Sequence, residues 1–600
     1  MKTFQKSVYL WLAVWALSGW LMAQERVVIR GGTLVDVRDG SLTPNVVVVV
    51  EGDRIVSVSA GGAPSAQGGT VIDAEGKYIL PGLIDLHVHY KEWAGELYLN
   101  HGVTTVVSLG DRNEWIRAQK EGIQSGLVPG PRLFHATRNL DGPPTSENYF
   151  ERPHVHFLKD PEEAMFAMQQ YITGRVDAIK VYAGLSLQVL RTLVREAEKA
   201  NIPLIGHFED VRVAADVGAH GVEHLEAVAN ALVDEKAREE ALQKVRKGFN
   251  PPASSFMNLA RVPEIVQLMV KSGLFLNPTM RMSWQGDRAL REKGFHYQDF
   301  DLLLNNWQLR YVPLDWRLAN LKEYQEIGMW HWADLSQYEQ DLFHQGYLND
   351  QQLIKAFADA GGKLYAGTDC ANMCTPGLGM HQELELLVDA GVSTLQALQA
   401  ATVNPAELMR MQDRLGTLEE GKVGDVLILD ANPLEDIRNT RKIAQVISRG
   451  RVLDGKYHAD FKNPIPFNGW EQSSHFFPSP RIQWASPEAL VEGAQGATLT
   501  VHGTGFIPYS FVLFNGQNLK TSFIDGLQLT AEVPANLLRP GTYAVTVENP
   551  EFGSGTIYAA GASDLSHLGL RDHISNEFLV LVKADGGAPI FPHPREAGER

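Results

Sequence analysis

Six hundred residues is more chain than one ordinary core accommodates, so two or more domains are expected. The balance of 54 basic against 71 acidic side chains, a formal net charge of -17, argues against nucleic acid or an anionic membrane surface as the main partner and leaves small molecules or neutral polymers. Cys370 and Cys374 are the only cysteines, which excludes a disulfide scaffold; a free pair is the expectation and a local bridge the alternative.

The chain opens with Lys2 and Lys6, the apolar run "VYLWLAVWALSGWL", and small Ala23 before polar Gln24. This is the order of a secretory signal peptide over residues 1–23, cleaved after Ala23. A membrane anchor is the alternative, but the apolar run is shorter than the about 20 residues that span a bilayer comfortably. A periplasmic or secreted protein with no stable membrane insertion after cleavage is expected.

Residues 24–80 hold short β-rich runs, "RVVIRGGTLVDV", "NVVVVVEGDRIVSVSA" and "TVIDAEGKYILPG", separated by Gly, Asp and Asn turns. Matching runs, "GTLEEGKVGDVLILDANP" and "IAQVISRGRVLDG", return in residues 413–465. The two flanks are expected to build one composite β-sandwich around the domain between them.

That domain, residues 81–412, alternates strands with helices. Apolar runs recur at "LIDLHVH", "VTTVVSL", "RLFHATR", "AIKVYAG", "IPLIGHF", "GVEHLE", "LFLNPTM" and "KLYAGTD", with helical periodicity between most of them, as in "SLQVLRTLVREAEKANI". The pattern predicts an α/β fold, a (β/α)8 TIM barrel, with an open doubly wound sheet as the alternative.

Two histidines end the first of these strands. His87 and His89 in "LPGLIDLHVHY" share one face of a strand and can converge on one ion. Spacing alone is weak evidence, because "RPHVHF" sets His154 and His156 equally far apart; Pro153 and the charged residues around that pair indicate a loop or surface position. The context of the first pair is stronger. Lys180 lies in the fourth strand, His207 ends the fifth, His224 lies in the sixth and Asp369 ends the eighth, all near strand C-termini, where the active face of a barrel sits. His381 is expected to be a helix-start or packing residue, and Cys370 is turned away from Asp369 by strand alternation.

An insertion at about 280–355 concentrates Trp284, Trp307, Trp316, Trp330 and Trp332, either a lid or pocket wall or the core of a helical insert. Residues 476–584 return to short alternating strands with turn pairs Asn515-Gly516 and Asp525-Gly526, an immunoglobulin-like β-sandwich. Residues 585–600 have the composition of a disordered tail.

With these motifs placed, the chain resembles the amidohydrolase superfamily, and within it imidazolonepropionase-like and prolidase-like enzymes. "LPGLIDLHVH", "GVTTVV", "IKVY", "GVEHLE", "AGTD", "ALQAATVNPAELM" and "LGTLEEGKVGDVLILD" stand in the family's order over roughly residues 25–460. The C-terminal sandwich resembles IPT/TIG-type modules in "LTVHGTGF" and "PGTYAVTVENP", a looser match that allows a carbohydrate or protein contact. The resemblance implies that His87, His89 and Asp369 hold one divalent ion and His207 and His224 a second. Lys180, carboxylated by carbon dioxide, would bridge the two; a buried lysine paired with a carboxylate is its other reading. Zinc suits imidazole nitrogen and carboxylate oxygen, and two such ions would activate a bridging hydroxide while Asp369 moves the proton.

Three functions follow as expectations. The first is a two-metal hydrolase of amide or peptide-like C–N bonds in small substrates such as dipeptides or N-acyl amino acids. The second is a single-metal enzyme opening a cyclic amide, and the third is an inactive barrel that binds through its terminal sandwich. Arg138 after the third strand and Arg281 after the seventh are the candidates for gripping a substrate carboxylate. A homo-oligomer is compatible with all three.

Overall fold

The computed structural model describes residues 26–61, 69–143, 155–247, 249–284, 286–313, 335–370, 374–465, 480–487, 489–492, 495–504, 506, 510–525, 527–548 and 578–583. The expected signal peptide and tail lie outside them, as do His154, Trp316, Trp330 and Trp332. The chain divides into two compact units, 1–467 and 468–600.

The first unit begins with an eight-stranded sheet to which both flanks contribute. Val426–Leu429 runs antiparallel to Tyr78–Pro81, so the returning flank is stitched to the strand that leads into the barrel. The five-valine run explains why this sheet holds together. Val46, Val48 and Val50 pack with Ile29, Ile55 and Ile428 on one face, while Val47 and Val49 pack with Val28 on the other. From Pro81 the chain turns directly into the barrel through Gly82, where a Cβ would lie 2.1 Å from Thr104 Oγ1 and no larger residue fits.

Eight parallel strands form the barrel: β1 (Leu83–Val88), β2 (Val103–Ser108), β3 (Arg132–His135), β4 (Ile179–Val181), β5 (Leu204–Gly206), β6 (Gly221–Glu223), β7 (Phe275–Asn277) and β8 (Lys363–Leu364). An Ala136–Ala178 bridge joins the β3 and β4 sides. The seam is closed by Leu86 N–H to Ala366 O at 3.1 Å and Asp369 N–H to His87 O at 2.7 Å. The crossover helix Leu187–Ala200 buries Val189, Leu190, Leu193, Val194 and Ala197; Ser186 caps its start and left-handed Asn201 ends it.

One expectation changes here. Val155–Phe157 is not a loop but a short strand parallel to Asn139–Asp141, and His156 Nδ1 lies 3.0 Å from the Tyr171 hydroxyl. Pro153 ended the pattern sooner in the sequence than in space, since the alternating Val155 and Phe157 suit an extended edge. In the insertion, Trp284 is buried against Phe343 and Tyr347 and donates Nε1–H to Asp350 at 3.0 Å, so it serves a helical core; Trp307 is exposed.

In the second unit two antiparallel-rich sheets enclose a core of Leu499, Val501, Phe514, Leu529, Val545 and Val580. Asn515 and Gly516, both at positive φ, make the tight hairpin between Phe511–Phe514 and Gln517–Asn518. Because the candidate ligands all lie between His87 and Asp369, a chain ending near residue 475 should fold and retain its hydrolytic kcat on small substrates. Loss of kcat with retained folding, read by circular dichroism, would show that the terminal module serves the reaction.

Candidate metal centre

Asp85, His87 and His89 follow one another on alternate positions of β1 and its extension. Asp85 is fully buried and accepts from Thr368 N–H at 3.0 Å and Thr368 Oγ1–H at 2.7 Å, and its Oδ1 lies 3.3 Å from the His87 N–H. Burial pushes its carboxyl up to about 7, opposed by these hydrogen bonds. Its role is to hold the end of the eighth strand against the first.

That contact delivers Asp369. Its Oδ1 stands 3.0 Å from His89 Nε2 and 3.5 Å from His87 Nε2, and its Oδ2 3.8 Å from His224 Nε2. One ligand atom from each of His87, His89 and Asp369 falls within 4.8 Å of the others, a spacing and donor set that fit a divalent ion. Burial alone would raise the Asp369 carboxyl, but the charges of His87 and His89 and the His89 hydrogen bond hold it well below the usual carboxylate range. His89 shifts upward because Asp369 outweighs its burial.

His207 and His224 meet edge to face with ring centroids 4.6 Å apart, and His224 is 5.3 Å from His87 by the same measure. His207 stacks on Tyr182 at 4.2 Å. His224 Nδ1 lies 2.5 Å from the Thr279 hydroxyl. Burial lowers both imidazoles, His224 to about 4 and His207 well below its ordinary value, the latter with help from Lys180. Neutral imidazoles are the form that ligates metal. Lys180 is wholly buried, and burial lowers its ammonium. Its Nζ makes no hydrogen bond among the described residues and faces Glu223 Oε1 at 3.9 Å. The rim opens on the side of His89, whose side chain is 28% exposed against 13% for Asp369 and His224.

Three residues at the strand ends take left-handed backbone: His224 (φ 61°), Thr279 (φ 46°) and Asp369 (φ 49°). Such conformations cost of order 1–3 kcal/mol each outside glycine and persist where the surroundings impose them. At His224 the consequence is direct. Strand alternation would turn Glu223 and His224 to opposite sides, yet both face the site, so Glu223 was missed in the motif "GVEH". Its Oε2 lies 2.6 Å from His87 Nδ1 and accepts from Asn277 Nδ2 at 2.7 Å. Gly367 completes the packing, since a Cβ there would stand 2.5 Å from both His87 Cβ and Asn277 Nδ2.

Other expected residues behave differently. Arg281 does not offer a guanidinium to substrate: it is buried, donating from Nε to Gln382 at 2.6 Å and from Nη2 to Asp299 at 2.7 Å. Arg138 is half-buried, with Nη2 donating to Val155 O at 2.8 Å and Nε making no hydrogen bond among the described residues. Cys370 and Cys374 are not a free pair but a buried disulfide directly after Asp369, with Cα atoms 5.1 Å apart. The reason is proximity: Gly379 leaves room for both sulfurs against the helix Leu378–Asp389. His381 is a packing residue, with Nδ1 2.9 Å from the Thr440 hydroxyl and Nε2 3.0 Å from His101 O.

A closed parallel barrel with two imidazoles and a carboxylate gathered at its C-terminal rim defines the class, a barrel enzyme with a candidate metal centre. The Amidohydrolase family pattern matches residues 78–453 and the IPT/TIG domain pattern residues 480–562. The chain belongs to the amidohydrolase family and carries a C-terminal TIG domain. It is similar to a dihydroorotase of Pelotomaculum thermopropionicum, 40% identical over 469 residues that cover 72% of this chain and 95% of the relative. Among solved structures it resembles a putative prolidase from Bifidobacterium longum (TM-score 0.52, 22% identity, 73% of this chain and 96% of that one) and A. niger ochratoxinase (TM-score 0.51, 19% identity, 74% and 100%). At these identities the structural likeness shows the fold alone.

Asp369→Asn keeps an oxygen ligand but cannot hold a proton between water and leaving nitrogen, so bound metal should largely remain while kcat falls by roughly 10²-fold or more. Turnover near the wild-type rate would assign the proton transfer to another residue.

Proposed function

We propose that this is an exported amidohydrolase that cleaves amide or peptide-like bonds of small substrates such as dipeptides or N-acyl amino acids at a centre for two divalent ions. The observation that carries the two-ion reading is Lys180, a wholly buried amine that makes no hydrogen bond among the described residues and lies beside the His207 and His224 pair. A neutral amine in that position can add carbon dioxide, lose a proton and become an anionic ligand. His87, His89 and Asp369 would hold one ion, His207 and His224 the other, and carboxylated Lys180 would bridge them; zinc is the expected metal. Such ions supply an activated water and polarise the scissile carbonyl. The chain's own part is to orient the imidazoles and to pass the water's proton through Asp369 to the departing nitrogen. Arg138, whose Nε makes no hydrogen bond among the described residues, is the group proposed to hold a substrate carboxylate.

Export is supported by the pattern of residues 1–23 and by the disulfide, which persists in oxidising compartments. The TIG domain is proposed as a spacer or as a contact for carbohydrate or protein.

A second reading, a single-ion enzyme opening a cyclic amide, is favoured by two observations. His87, His89 and Asp369 are the compact ligand group among the described residues, and Lys180 faces a carboxylate that can pair with it as an ammonium. The dihydroorotase relative agrees with it in name.

Metal analysis separates the two: about two divalent ions per chain are expected, with activity lost in Lys180→Ala and partly restored by a small carboxylic acid. One tightly bound ion in a fully active preparation would overturn the Lys180 bridge and favour the single-ion reading. On substrates, free α-carboxylates should be preferred over their amides or esters; equal kcat/KM for the two forms would remove the Arg138 grip, and activity confined to cyclic amides would replace the dipeptide reading.

A further inference from the structure

Glu223 is a wholly buried carboxylate at the centre of the site that none of the ligand assignments uses. Resting on the metal-centre reading, the geometry points to Glu223 as the positioning residue of that centre, fixing the tautomer of His87 with one oxygen and the orientation of Lys180 with the other.

An imidazole can ligate only through the nitrogen that carries no proton. His87 Nδ1 is 2.6 Å from Glu223 Oε2, while His87 Nε2 faces Asp369 Oδ1 at 3.5 Å. An ionised carboxylate only accepts, so Nδ1–H donates to Glu223 and the lone pair of Nε2 is directed at the side where Asp369 and His89 converge. The carboxylate is itself held. Asn277 Nδ2 donates to the same oxygen at 2.7 Å, and Asn277 Oδ1 accepts from Gly367 N–H at 3.1 Å, which ties the ends of β6 and β7 to the segment leading to Asp369.

The second oxygen, Oε1, accepts no hydrogen bond among the described residues and stands 3.9 Å from Lys180 Nζ, which also lacks one. A lysine that has taken up carbon dioxide keeps one N–H on Nζ. Glu223 Oε1 is the buried acceptor facing that N–H, so one carboxylate steadies a histidine ligand and the bridge lysine together. His224, the adjacent residue, reaches the site only because its left-handed backbone frees Glu223 to point inward as well.

The test uses the metal-stripped full-length protein titrated with Zn²⁺ in competition with a chromophoric chelator. Glu223→Ala should weaken zinc binding about 10- to 100-fold, with the metal-free melting temperature as the control for folding. Glu223→Gln keeps the volume but replaces an anionic acceptor by an amide. It should lose zinc affinity too, by roughly 10-fold, and at saturating zinc should lower kcat while leaving KM near the wild-type value. Should the alanine variant fail to fold, the glutamine variant decides. Wild-type zinc affinity in a folded Glu223 variant overturns the positioning role and leaves the metal centre standing. A wild-type chain that binds no divalent ion overturns the metal-centre reading, and this inference falls with it.

Discussion

The hydrogen bond from Asp369 N–H to the His87 carbonyl at 2.7 Å is where fold and site become one feature. A barrel must close its last strand on its first, and the residue that closes it here carries the carboxylate set beside both β1 histidines. Asp85 reinforces the same seam by taking two hydrogen bonds from Thr368. Asn277 does so from the β7 side through Gly367. A candidate ligand set assembled from opposite ends of a chain segment nearly three hundred residues long is thereby held by backbone hydrogen bonds at the strand ends.

The electrostatics of the rim follow from that packing. Four imidazoles, an amine and three carboxylates lie buried or half-buried together, an arrangement that water would otherwise stabilise. Burial drives His207, His224 and Lys180 toward their neutral forms and opposes ionisation of Asp369 and Glu223, but His87 beside both carboxyls and the hydrogen bonds from His89 to Asp369 and from His87 to Glu223 hold them low. At His207, His224 and Lys180 the outcome is neutral nitrogen close to anionic oxygen. Cations of intermediate softness are matched by that donor set. The strained backbone at His224, Thr279 and Asp369 is consistent with a surrounding structure that enforces this placement against local preference.

Much of this was legible in the amino-acid sequence because ligand position in a parallel barrel is tied to strand phase. His87, His89, Lys180, His207, His224 and Asp369 could be placed at strand ends without coordinates, and the structure gathers them. Strand phase also marks the limit of such reading. Alternation holds only while φ stays negative, so the left-handed turn at His224 hid Glu223. The disulfide was hidden differently: a spacing of four positions permits a bridge without requiring one, and it is the close approach of Gly379 that admits both sulfurs. His156 was misread because a proline argues against a strand only where it sits, not two residues later.

Arg281 shows why an arginine near an active face need not touch substrate. Its backbone N–H and that of Met280 both donate to Glu383, its side chain pairs with Asp299, and Asp299 accepts from the Thr375 N–H. The segments that follow β7 and the disulfide are thus braced against each other and against the helix Leu378–Asp389. A loop committed to this bracing keeps Thr279 against His224 and leaves the Arg281 guanidinium spent on internal partners. On the β1–β3 side Arg138 donates to the short Val155–Phe157 strand, and the His89 side chain is more exposed than those of Asp369 and His224. The rim is therefore uneven: the β6–β8 arc is tied together by buried hydrogen bonds, and the β1–β3 arc carries the more exposed His89.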